Sequence, residues 1–112
     1  MQFDKALRNL YSYSAMSLDS LDRALAAIAD PTRRKILQAL KERGGCSLEM
    51  EIGLCASDIE IRVPLSQPTI SHHMAILRAA GLVDAKKLGQ WMWYRRNEQA
   101  IRSLTRTLRD ML

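Results

Sequence analysis

The stretch from residue 65 to residue 81, LSQPTISHHMAILRAAG, carries its own start and stop signals. Ser66 is placed to cap a helix, its hydroxyl accepting a bond from an orphan backbone N–H of the first turn. Pro68 falls in that turn, where a missing N–H costs little. Gly81 stands where a helix turns off through a left-handed residue. Ile70, Met74 and Leu77, at i, i+4 and i+7, make one apolar stripe. The opposite face carries Gln67, Thr69, Ser71 and His72, all polar and none acidic. Such a face suits a DNA major groove. Gln pairs with adenine, Ser and Thr reach base edges or phosphates, and no carboxylate repels the backbone. A capped amphipathic helix with a merely solvated outer face is also common, so the flanking segments decide.

Upstream, Ser17 or Asp19 can cap a helix reaching about Ala29, with Leu18, Leu21, Leu25 and Ile28 as a heptad-like seam. Asp30-Pro31 breaks the chain, because the residue before proline is pushed out of helical geometry. Pro31 opens the next helix, Thr32 to about Arg43, with Ile36, Leu37 and Leu40 inward and Gly44-Gly45 at its end. In residues 46–64 only a short helix fits, about Ala56 to Arg62, stopped by Val63-Pro64. Two helices a few residues apart, the second with a polar face, make a helix-turn-helix. Residues 1–16 read as an N-terminal arm or a short helix.

Downstream the period changes. Residues 82–88 and 91–96 read as strands about a Gly89-Gln90 turn. This hairpin carries Lys86, Lys87, Arg95 and Arg96, which makes it a basic wing positioned for phosphates or a minor groove. At least one of Trp91 and Trp93 is expected to pack the hairpin onto the helices. Asn97 caps a last helix to Leu112, with Ile101, Leu104, Leu108 and Met111 on a seam like that of the first helix. Matching seams predict that the terminal helices pack together and against their copies in a two-fold dimer.

The expected fold is thus mainly α with a small β-hairpin: one winged helix-turn-helix domain over residues 17–112, dimeric. The chain has 112 residues, 17 Lys+Arg against 12 Asp+Glu, and a net charge of +5. That balance favours a polyanionic partner. No apolar run has the length of a membrane span, and Asp4, Lys5 and Arg8 interrupt any signal-peptide core. A cytoplasmic protein with no membrane partner is expected, its two cysteines thiols by default.

Four pieces in this order and spacing carry a resemblance: ADPTRRKIL from Ala29, LSQPTISHHM from Leu65, LRAAGLV from Leu77 and GQWMWYR from Gly89. Over residues 18–112 the chain resembles the ArsR/SmtB family of winged-helix transcriptional repressors. The resemblance implies a homodimer built from the first and last helices, here Leu18, Leu21, Leu25, Ile101, Leu104 and Leu108. It also implies double-stranded DNA as partner, through an imperfect palindromic operator. The DNA-binding residues are then Ser66, Gln67, Thr69, Ser71 and His72 on the helix, with Lys86, Lys87 and Arg95 on the wing.

Many members of the resembled family sense a metal or arsenic ion. One common pattern is Cys-x-Cys-Asp-Leu before the recognition helix. Here it reads Cys55-Ala-Ser-Asp-Ile, with Ser57 where the second thiolate should stand. A hydroxyl is a poor ligand for a thiophilic ion, so that site is degraded. The other pattern puts Asp and His on the last helix, but residues 97–112 hold no His. No metal site and no cofactor are expected, with Cys55 as a soft-ion ligand the exception weighed. Cys46 and Cys55 sit nine positions apart in a segment longer than the family usually carries. They are either a thiol sensor or a loop residue and a small buried hydrophobe. His72 and His73 point about 100° apart on a helix and cannot easily share an ion. His72 is expected to face DNA, and His73 to pack beside the wing or a neighbouring helix.

A repressor released by a chemical signal is the expected function. The alternative is a winged helix used only for protein contact, which should show an apolar patch in place of the polar face of residues 66–72. An enzyme would need a nucleophile with its base or a full metal set. Cys55 with either His is the only such pair, and no pattern joins them.

Overall fold

The computed structural model describes residues 16–41 and 53–112. Along them run α1 (Leu18–Ile28), α2 (Pro31–Lys41), β1 (Leu54–Cys55), α3 (Ala56–Arg62), α4 (Gln67–Ala79), β2 (Val83–Leu88), β3 (Trp91–Arg96) and α5 (Glu98–Met111). The expected arm, apart from Met16, lies outside the described residues, as do Gly44, Gly45 and Cys46.

Ser17 caps α1, its hydroxyl accepting from the Ser20 N–H at 3.1 Å. The fully buried line of α1 is Leu21, Ala24 and Ala27, while Leu25 and Ile28 of the expected seam pack half-buried against the core. Leu18 is 72% exposed and Leu25 only half-buried. Two fully buried alanines let α1 lie close on α2 and α4.

The motif from Ala29 to Arg34 is a double cap. Asp30 Oδ1 accepts from the Thr32 and Arg33 N–H groups at 2.7 and 3.2 Å, closing the start of α2. These bonds, that of Arg33 foremost, hold the Asp30 carboxyl below the usual carboxylate range. Arg33 and Arg34 then reach back to the last turn of α1. Arg33 donates from Nε to the Ala27 carbonyl at 2.6 Å and from Nη2 to that of Ala26 at 3.3 Å. Arg34 donates to the Ile28 carbonyl at 2.7 Å. Cations on the orphan carbonyls of a helix end also suit its dipole.

The helix-turn-helix is α3, a turn and α4, as the sequence predicts. Leu65 N–H donates to the Val63 carbonyl at 2.7 Å, a tight turn about Pro64. Ser66 holds the N-cap position of α4, but its hydroxyl bonds the Thr69 hydroxyl at 2.9 Å rather than a backbone N–H. The other end closes by a Schellman motif. Gly81, at φ +77, donates to the Arg78 carbonyl at 2.9 Å, and Leu82 donates to that of Leu77 at 3.0 Å. Leu82 belongs to this cap and is fully buried, so β2 starts one residue later than expected.

The hairpin has its predicted two-residue turn, with Leu88 facing Trp91 and Val83 facing Arg96. It is not free-standing. The unforeseen β1 pairs with β3, Leu54 opposite Tyr94 and Cys55 opposite Trp93, giving the sheet order β1-β3-β2. At the base, Asn97 N–H donates to the Leu82 carbonyl at 2.9 Å. Asn97 also caps α5, accepting from Ala100 N–H at 3.0 Å.

The core draws on every element. Ile36, Ile59, Ile70, Met74, Leu77 and Leu82 are its largest fully buried side chains. α5 enters it with Leu104, and Ile101 and Leu108 lie half-buried against it. Leu21 and Leu104 are buried within the protomer, at 3% and 4% exposure.

Candidate nucleic-acid interface

Helix α4 turns Ile70, Met74 and Leu77 into the core and leaves Gln67, Thr69, Ser71 and His72 exposed, with Ser66 just before them. The helix contains no acidic residue. The two histidines diverge, their ring centroids 5.8 Å apart and the planes tilted by 59°. His72 is exposed, whereas His73 turns inward and meets the Arg33 guanidinium at 3.2 Å. The neighbouring helix it was expected to pack beside is therefore α2.

Between α4 and the wing lies a cleft of about 530 Å³, lined by Arg78, Val83, Asp84, Ala85, Lys86, Trp93 and Arg95. It is lined by cations from a helix and from both strands, and among the described residues Asp84 is the only carboxylate in its lining. Asp84 sits directly across from Arg95 in the sheet, and Lys86 across from Trp93. Trp93 is the tryptophan that packs the hairpin down, at 6% exposure. Trp91, beside the turn, stays 56% exposed.

Arg78 was missed by sequence reasoning, although a signal existed. It lies seven positions after Ser71, which returns a helix to within about 20° of the same face. Alternation separates the two wing lysines, since neighbours on a strand point to opposite faces. Lys86 lines the cleft, while Lys87, across from Met92, belongs to the other side. Arg96 is engaged by Glu98, through Nε at 3.0 Å and Nη2 at 3.2 Å.

Cys55 is buried at the N-cap of α3. Its thiol donates to Asp58 Oδ2 at 3.3 Å, and its backbone N–H reaches the same oxygen at 3.3 Å. This donor set is one thiol already bonded to one carboxylate. Among the described residues no group of three or more His, Cys, Asp or Glu is placed to hold a metal. The residues described do not fit a soft-ion site, which needs several thiolates or imidazoles. Among the same residues no helix is long and apolar enough to cross a membrane.

Residues 30–85 match the family model described as "Bacterial regulatory protein, arsR family". The chain is 39% identical over 77 residues to the transcriptional repressor SdpR of Bacillus subtilis, covering 69% of this chain and 76% of that one. It is 33% identical over 93 residues to an arsenical resistance operon repressor of Staphylococcus aureus, covering 83% and 81%. A solved ArsR-like transcriptional regulator from Rhodococcus sp. RHA1 superposes with a TM-score of 0.65 at 30% identity, over 83% of this chain and 79% of that one. The chain belongs to the arsR family of bacterial regulatory proteins, and it is a winged-helix DNA-binding transcriptional regulator, not an enzyme.

Proposed function

We propose that this protein is a repressor that binds a palindromic operator as a homodimer and leaves it on a chemical signal. The observation that carries the reading is the acid-free outer face of α4, exposed beside a cleft lined by Arg78, Lys86 and Arg95. Gln67 and Ser71 read base edges, Thr69 and Ser66 bond phosphate or base, and His72 lies at the groove wall. Arg78, Lys86 and Arg95 hold the strand that passes between helix and wing, and Lys87 meets phosphates from the other side of the hairpin. The dimer surface uses the apolar side chains that the protomer leaves open: Leu18, with half-buried Leu25, Ile101 and Leu108. Leu21 and Leu104 support that surface from within. Two-fold symmetry then spaces the half-sites by about 34 Å, one turn of duplex.

The test is selection of bound duplex from a random pool, followed by substitution. Gln67→Ala and Ser71→Ala are each expected to weaken the selected site by about 1–3 kcal/mol and to relax its sequence preference. A protein that selects no sequence, or binds one half-site as a monomer, sinks the reading. The alternative, protein contact through the same face, lacks support, because residues 66, 67, 69, 71 and 72 offer polar side chains and no apolar patch.

The signal enters at Cys55. Its S–H is a donor in the cap of α3, and α3 packs directly on α4. Oxidation with Cys46 would remove both thiol hydrogens and two electrons, which diamide or a polysulfide accepts, and would take that donor from Asp58. A coupling of about 1–3 kcal/mol changes operator affinity some 5–150-fold. Diamide and polysulfide are therefore expected to weaken operator binding by the wild type and not by Cys55→Ser. Arsenite, suggested by the name of the staphylococcal relative, is the third arm of the titration. Unchanged wild-type affinity with all three would make Cys55 a structural residue.

A further inference from the structure

We propose that His73 is a positioning residue: through Arg33 it fixes the roll of α4 against the end of α1 and so aims the recognition face. The proposal rests on the DNA-binding reading above. Three atoms of one guanidinium are spoken for. Nε and Nη2 donate to the Ala27 and Ala26 carbonyls at 2.6 and 3.3 Å, and Nη1 meets His73 Nδ1 at 3.2 Å. Asp30 Oδ2 lies 3.8 Å from the same Nη1, and the Arg33 side chain is only 13% exposed. A guanidinium is planar and only donates. Two bonds to α1 therefore fix where the third points, and His73 Nδ1 must accept it, which leaves the ring proton on Nε2.

Apolar contact along Ile70, Met74 and Leu77, flanked by half-buried Ile76 and Ala80, is non-directional, so it sets the roll of α4 less sharply than a hydrogen bond does. A roll of about 20° carries a side-chain end about 6 Å from the helix axis through about 2 Å. A hydrogen bond to a base edge tolerates a few tenths of an ångström. The bond to His73 is directional and joins α4 to a neighbouring helix end rather than to its own core stripe. It sits one residue from His72, on the exposed face. Without it, the fraction of molecules with α4 correctly aimed falls, and operator affinity falls by the same fraction.

The test uses the full chain. Long-range proton–nitrogen spectra at pH 7.5 are expected to show His73 as the Nε2–H tautomer. His73→Ala should bind the selected operator about tenfold more weakly, the equivalent of one lost charge-assisted bond. It should bind a random duplex as the wild type does. His73→Asn places its carbonyl oxygen near the position of Nδ1 and should restore operator affinity to within about twofold; His73→Gln, whose oxygen lies nearer the position of Nε2, should not. An Nδ1–H tautomer, an Ala variant of wild-type operator affinity, or Asn no better than Ala each overturns the proposal. A wild type that binds no duplex overturns the DNA-binding reading itself, and this proposal with it.

Discussion

Gly53→Ala is expected to leave the protein close to unfolding. Gly53 sits at φ +102, just before β1, in a conformation that L side chains rarely adopt. A Cβ there would meet the Tyr94 carbonyl oxygen, with the Tyr94 carbonyl carbon at 2.6 Å and Arg95 Cβ at 3.1 Å. These obstacles are backbone and the first side-chain carbon of β3, and neither can rotate aside. The left-handed conformation alone costs about 1–2 kcal/mol. Relief of the clash requires β1 to leave β3, which uncovers Leu54, now 3% exposed, at a further ~1.5–3 kcal/mol. The total, about 3–5 kcal/mol, is a large part of the 5–15 kcal/mol that holds an ordinary domain together. Thermal unfolding followed by circular dichroism should show Tm lowered by about 15–30 °C. Gly81→Ala is the control: it also has positive φ, but a Cβ there meets nothing within 4 Å. It should cost only the conformational term, and equal losses for the two would show that β1 is not held as described.

Operator binding should collapse by about 10⁴ between 50 and 200 mM salt. Arg78, Lys86, Lys87 and Arg95 supply four cations per protomer, hence eight in a dimer. At ~0.9 per neutralised phosphate the log–log slope is about −7, and a fourfold rise in salt then costs about four decades. Arg78→Ala removes two contacts from the dimer and should flatten the slope by ~1.8, weakening all sequences alike. Gln67→Ala should leave the slope unchanged. A filter-binding series across salt separates the two, and a wild-type slope near zero would deny the cleft its role.

The recognition helix was legible because both of its ends are written locally, in Pro68 and in Gly81. The wing was legible from a change of period and a two-residue turn. β1 was not, since two residues show no period and their partners, Trp93 and Tyr94, lie far along the chain. Arg33 and Arg34 look in sequence like solvated cations. Their work depends on the angle at Asp30-Pro31, which brings α2 back under the last carbonyls of α1. Ala24 and Ala27 were missed on the inward face of α1 because leucines outweigh alanines in any hydrophobic pattern. Ala24 and Ala27 are buried because they are small, and smallness is invisible until a neighbour has to come close. Arg78 needed only the count of seven from Ser71.

The sheet order β1-β3-β2 leaves β2 at the margin, with a row of main-chain groups that no strand among the described residues takes up. Such a margin is a template for fibre growth, and charged side chains on it, lysine above all, discourage a second molecule from adding its own strand. β2 carries Asp84, Lys86 and Lys87. The lysines assigned to the operator thus also keep unliganded molecules apart. Neutralising both would leave VDAAAL, a strand-length segment with one charge, on the open edge. The shelf life of that variant, more than its affinity, would then be the first thing to change.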